Sequence, residues 1–338
     1  MKAMILEQIG KPLVYGEHPK PVLDADDDVI IKIRACGVCA TDLKVKDGHV
    51  NPEGLPRILG HEPVGVVVEK GNGVAGVEIG DRVVSSTYLT CHECAYCKSG
   101  QDTLCVHVKG RIGVNIDGGF AEYMKTKAQN IVKVPDSVPD EVAALLPCGG
   151  GVPYHAMVRK MRIKPTDTVI VLGTGGIGIQ ALQLIKLLGA RSVAVDITDE
   201  KLDFAKKWGA DYVVNSSKEG FMDALKAIDP LTVLLDTTGV PAAITACASA
   251  LQRGGRIVLV GYSPGKDLVL PLQQVVLEEL EVVGSRGVGL RDVEDLMQLY
   301  ARGELVAVEA EKYPLRELNM VMEKLKNNQL SGRSVVVP

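Results

Sequence analysis

The chain has 338 residues, enough for two domains and more than one core. Hydrophobic residues make up 46% and charged residues 24%, which excludes global disorder. Thirty-eight basic against 42 acidic side chains give a formal net charge of −4 with no basic block, so no nucleic-acid partner is expected.

Residues 1 to about 150 are rich in valine, glycine, proline and turn signals. The opening apolar run, Met1 to Leu6, is too short for a signal peptide, so a cytoplasmic location is expected. The acidic run Asp24 to Asp28 reads as a solvated turn. Asp28 to Arg34 and Pro63 to Glu69 are short and β-branched, which predicts strands of an irregular, mostly β domain. Between them lie Cys36-Gly-Val-Cys39-Ala-Thr41-Asp42 and Gly60-His61-Glu62.

Four more cysteines follow at Cys91, Cys94, Cys97 and Cys105. A chain this long needs no disulfide scaffold, and clustered thiols in a reducing compartment point to metal. Four thiolates at these spacings close a tetrahedron around Zn²⁺ with no position open, a structural site that holds a loop. An iron–sulfur site and free thiols are the alternatives. Cys148 stands alone in Pro147-Cys-Gly-Gly-Gly151. With Cys39 and His61 it would make a Cys₂His set, which keeps a fourth position open and is the catalytic zinc type. Spacing alone does not pair these distant residues.

After Pro165 the texture changes. The most apolar stretch, Thr168 to Ala190, carries Gln180, Gln183 and Lys186 and reads as strand, turn and helix rather than a membrane span. Strands are predicted at 168–172, 192–195, 211–214, 232–235, 256–260 and 280–283. Helices are predicted at 177–188, 200–208, 217–227 and 240–251. This alternation predicts a six-stranded parallel α/β sheet. Gly173-Thr-Gly175-Gly176-Ile177-Gly178 follows a strand and opens a helix, the context in which G-x-G-x-x-G binds a dinucleotide. Asp196 ends the next strand, where an acid accepts from ribose hydroxyls and repels a 2′-phosphate, so NAD is favoured over NADP. Lys201 lies one helical turn further on. The tail is predicted to hold amphipathic helices near 292–300 and 315–327 and a strand at 334–337, and to rejoin the β domain.

Cys39-Ala-Thr41-Asp42, Gly60-His61-Glu62, the four-cysteine lobe, Cys148, the glycine turn and Asp196 together resemble the zinc-dependent alcohol dehydrogenases of the medium-chain dehydrogenase/reductase family. The order matches over nearly the whole chain. The resemblance implies a six-stranded parallel Rossmann domain at 152–285 and a mainly β, GroES-like catalytic domain at 1–151. The catalytic domain includes the zinc lobe at about 88–110 and is completed by 286–338. It implies two zinc ions per chain and NAD. Cys39, His61 and Cys148 match the catalytic zinc ligands, and Glu62 a neighbour that transiently ligates the metal. Thr41 matches the hydroxyl that takes the substrate proton, Asp42 the carboxylate behind the zinc-bound imidazole, and Arg333 a pyrophosphate contact.

Three departures stand out. Lys44 replaces a relay histidine, leaving Lys44, His49 or water to end the relay. Ala40 replaces an Arg or His near the pyrophosphate, which implies fewer phosphate contacts. Val152-Pro153 replaces a Val-Thr pair beside the nicotinamide. The reaction implied is reversible oxidation of a primary or secondary alcohol to an aldehyde or ketone by hydride transfer, with zinc as Lewis acid. A homotetramer or homodimer is implied. A reductase of activated double bonds on the same fold and a non-catalytic zinc and nucleotide binder are the competing readings. Thr87 and Tyr88 are expected pocket residues. Cys36, Cys247 and Trp208 are expected in the core, His18, His92 and His107 at the surface, and His155 is expected to be structural or near the cofactor.

Overall fold

The computed structural model describes residues 1–306, 308, 310–330 and 332–338. The chain divides into two compact units, 1–151 with 288–338, and 152–287.

The second unit is a six-stranded sheet in which every neighbouring pair is parallel. Thr168–Leu172, completely buried, lies at its centre. Arg191–Asp196 and Tyr212–Asn215 extend the sheet to one side; Val233–Asp236, Arg256–Leu259 and Glu281–Gly284 extend it to the other. Central strands of a parallel sheet are covered on both faces, and so they read in sequence as continuous apolar runs. Strand order reverses beside Thr168–Leu172, the switch point where such sheets bind ligands outside their carboxyl ends. Helix Gly176–Leu187 starts there and buries Ile179, Leu182 and Ile185.

The first unit is built on a mixed seven-stranded sheet. Its order runs Ile131–Lys133, Arg82–Ser85, Glu62–Lys70, Asp28–Val38, Arg333–Val337, Ala310–Pro314, with Tyr123–Lys127 also paired to Asp28–Val38. A three-stranded sheet at the N-terminus shares a core with helix Leu318–Lys326 around Phe120, Leu59 and Met322. Helix Leu290–Ala301 turns Val293, Leu296, Met297 and Tyr300 inward, the spacing of one helical face.

Several expectations needed correction. The helix predicted at 217–227 is shorter, Phe221–Lys226, because Gly220 at φ +76° ends the preceding turn. Helix Leu272–Leu277 and strand Ala310–Pro314 carried no clear pattern and were not anticipated. The Asp24–Asp28 run is not wholly solvated. Asp28 is 1% exposed, accepts the Asp24 and Ala25 N–H groups and pairs with Lys127 and Lys125. Trp208 is only half-buried at the end of helix Asp199–Lys207, against Phe204. Cys36 and Cys247 do lie in the two cores. His18 and His92 are half-buried, His107 is exposed and His155 is buried.

Candidate active site

Strand register gathers the residues that the sequence keeps apart. Gly37 pairs with Glu62 across antiparallel strands, which sets Cys39 and His61 at one end of the sheet. Val38 pairs with Ser334, which brings Arg333 to the same end. Gly37 is required here, because a Cβ would lie 2.2 Å from Glu62 Oε2. Cys148 arrives from a buried π-helical turn, Leu146–Gly150, a geometry frequent at functional sites. The ligand atoms of Cys39, His61, Glu62 and Cys148 all lie within 4.8 Å of one another, with Cys39 Sγ and Cys148 Sγ 3.8 Å apart.

Asp42 organises the cluster. Its Oδ1 accepts from His61 Nδ1 at 2.9 Å and its Oδ2 from the Cys39 N–H at 2.9 Å. It is completely buried. The first bond leaves Nε2 to face the cluster and fixes the ring, as carboxylates behind ligating imidazoles do. Burial works against charge on His61, yet Asp42 and Cys39 hold its pKa well above the ordinary value. The hydrogen bond from Cys148 draws Cys39 well below a normal thiol, and the same contact drives Cys148 up.

Glu62 Oε2 pairs with the Arg333 guanidinium, whereas Oε1 is buried, has no hydrogen-bond partner among the described residues and lies 3.8 Å from His61 Nε2. An orphaned acceptor beside two thiols and a ring nitrogen fits a Zn²⁺ ion. Thr41 and Lys44 are half-buried on helix Ala40–Lys46; His49 is exposed beyond its end. Thr87 donates to the His61 carbonyl at 3.3 Å.

The four-cysteine lobe is closed at its base by the pairing of Tyr88–Leu89 with Gly110–Arg111. Its four sulfurs also lie within 4.8 Å, and the N–H groups of Cys91 and Cys94 point at the sulfurs of Cys105 and Cys91, each at 3.4 Å. Backbone N–H groups of Cys97 and Val106 pull Cys94 down to about 6, and burial pushes Cys97 up to about 12. Four thiolates this close repel strongly unless a cation sits among them. The set fits a closed zinc site.

In the second unit, Gly173 has φ +90° and its carbonyl lies 2.0 Å from where a Gly178 Cβ would stand. Gly175 caps helix Gly176–Leu187, and a Cβ there would meet nothing within 4 Å. The helix N-terminus therefore opens onto free space, the cradle a pyrophosphate needs. Gly176 and Ile177 form the first helical turn. Asp196 Oδ2 accepts from the Thr174 N–H and hydroxyl, and Oδ1 from the Ile197 N–H. Burial would raise its pKa, but these donors and the nearby Lys201 charge hold it below the usual carboxylate range. Sequence reasoning missed two groups here. Thr174, inside the motif, ties Asp196 to the glycine turn; Thr237 donates to the Leu172 and Gly173 carbonyls, both at 3.0 Å. Only the motif position of Thr174 could have signalled it.

Residues 25–136 match the alcohol dehydrogenase GroES-like domain and residues 176–302 the zinc-binding dehydrogenase domain. An alcohol dehydrogenase of Geobacillus stearothermophilus is 38% identical over 99% of both chains. An acryloyl-coenzyme A reductase of Sulfurisphaera tokodaii is 35% identical over the full length of both. The crystal structure of an alcohol dehydrogenase from Aeropyrum pernix superimposes with a TM-score of 0.93 at 34% identity, covering 100% of both chains. With fold, site and full-length relatives in agreement, the chain belongs to the zinc-type medium-chain dehydrogenase/reductase family of alcohol dehydrogenases and is an oxidoreductase.

Proposed function

We propose that the protein catalyses the NAD-dependent, reversible oxidation of a primary or secondary alcohol to an aldehyde or ketone. The observation that carries this reading is the open Cys39, His61 and Cys148 set with Glu62 beside it. When bound, zinc supplies Lewis acidity toward an alcohol oxygen, and NAD supplies the oxidant. Cys39, His61 and Cys148 would hold that zinc, with Glu62 in reserve as a further ligand. Asp42 keeps the His61 ring oriented. The Thr41 hydroxyl takes the substrate proton, and Lys44, His49 or water passes it to solvent. Cys91, Cys94, Cys97 and Cys105 would hold a second, structural zinc. The turn Gly173 to Gly178 would bind the pyrophosphate, Asp196 and Lys201 the adenosine ribose, and Arg333 would add a charge toward the phosphates while anchoring Glu62.

We place the protein in the cytoplasm as a homotetramer or homodimer. Among the described residues no helix is long and apolar enough to cross a membrane. A second reading, reduction of an activated double bond in a coenzyme A thioester, is favoured by the full-length similarity to acryloyl-coenzyme A reductase. Elemental analysis together with an alcohol panel separates them. Two zinc per chain and NAD-linked alcohol oxidation that stops on metal removal support the first reading. Metal-independent reduction of an enoyl thioester, with no alcohol turnover, would replace it with the second.

A further inference from the structure

The four-cysteine lobe and the turn that carries Cys148 are joined by a helix that neither touches through a ligand. Asp102 sits inside the lobe, between Cys97 and Cys105. Its Oδ2 accepts the N–H of Leu290, the first residue of helix Leu290–Ala301, at 2.9 Å. Its Oδ1 occupies the place a side chain on Gly289 would need, 2.6 Å from an ideal Cβ. A carboxylate at this end of a helix satisfies an unpaired N–H and faces the positive end of the helix dipole.

The same helix packs against the Cys148 turn. Leu296 lies against Gly150, and Val288, just ahead of the helix, against Gly151 at a distance of 2.3 Å from an ideal Cβ. Those glycines leave no side chain to absorb a shift. Gly151 and Val288 are also where the chain leaves this unit and where it returns. The lobe therefore holds the N-terminus of the helix, and the turn that carries Cys148 packs against its Leu296 and the preceding Val288.

We propose that Asp102 is a positioning residue that couples the four-cysteine lobe to the Cys148 turn. Through helix Leu290–Ala301 it fixes the third ligand of the open metal site while touching neither metal nor substrate. The metal aspect rests on the function proposed above, whereas the mechanical coupling does not.

Amide hydrogen exchange on Asp102→Ala tests the coupling, read against the intact wild-type protein. Faster exchange is expected in two places, at 290–294 and at 146–151. Faster exchange at 290–294 alone, or at neither, overturns the proposal. Should Asp102→Ala fold poorly, Asp102→Asn keeps an acceptor for Leu290 and loses only the charge; a smaller increase at both places is expected, and an increase confined to the helix overturns the coupling. Gly289→Ala, at an ordinary φ of −81°, drives a methyl into the Asp102 carboxylate and should give the same double signature. Combined with Asp102→Ala its effect should shrink, because the clash is gone. Additive effects count against the contact.

A second readout is chelator-driven metal release. From the Cys39, His61 and Cys148 site it should quicken about tenfold in Asp102→Ala, the low end of what losing an outer partner costs a metal site. An unchanged rate overturns the coupling to the metal. A wild-type protein that holds only one metal would sink the proposed function and leave the exchange comparison standing.

Discussion

At the residue scale, Asp42 is the side chain on which most of the open site depends. It holds the His61 ring and the Cys39 backbone with separate oxygens. Asp42→Asn should weaken metal binding at that site on the order of 10–100-fold, measured by chelator competition, with little change at the four-cysteine lobe. Asp28 makes a different prediction. Burial opposes its charge, but Lys127 and the Asp24 N–H hold its pKa down to about 2. A depressed carboxylate stabilises the fold above its unfolded pKa, near 3.9, and that contribution is lost as pH falls toward 2. Asp28→Asn should therefore cost about 2 kcal/mol at pH 7 in urea unfolding, a gap that closes between pH 4 and pH 2. A gap that stays constant through this range would show that Asp28 acts through packing rather than charge. These two acids also mark what sequence conveys at this scale. The four-cysteine lobe is legible because its ligands are local. Cys39, His61 and Cys148 are not, because strand register joins the first two and a distant helical turn brings the third, so spacing alone does not pair them. Asp28 was misread because an acidic run looks solvated until a lysine from a distant strand reaches it.

At the scale of elements, the glycine turn separates two jobs that one motif combines. Gly178 serves packing, since a methyl there would strike the Gly173 carbonyl. Gly178→Ala should destabilise the parallel-sheet unit by about 1–3 kcal/mol. Gly175 has room for a methyl and an extended backbone that alanine adopts. Gly175→Ala should leave thermal stability unchanged or slightly raised while dinucleotide affinity falls. Calorimetric NAD titration beside a melting curve checks both, and unchanged affinity in Gly175→Ala would remove the pyrophosphate from this cradle. The parallel strands were legible because burial on both faces writes an apolar run. Ala310–Pro314 escaped notice because it pairs on one side only and exposes most of its side chains. Leu272–Leu277 has no buried residue, so no amphipathic period marks it.

At the scale of the whole molecule, the two cysteine sets should part with metal differently. A closed set of four thiolates gives an incoming chelator no free position, whereas an open set does. On the proposed function, graded chelation should first remove one zinc and abolish alcohol oxidation with the melting temperature nearly unchanged. Removal of the second should lower the melting temperature. Zinc analysis, turnover and circular dichroism on the same samples follow the order, and a melting transition that falls with the first zinc would reverse the assignment of the two sites. The threading of the larger sheet also bears on how the protein is made. Residues 152–287 form a contiguous unit, but Arg333–Val337 is an interior strand of the other unit, wedged between Asp28–Val38 and Ala310–Pro314. A ribosome delivers the 152–287 unit complete while that sheet still lacks an inner strand. Until residue 337 emerges, strand Asp28–Val38 keeps an unpaired edge, the condition in which strands associate wrongly. That unfinished sheet belongs to the unit that carries seven of the eight cysteines.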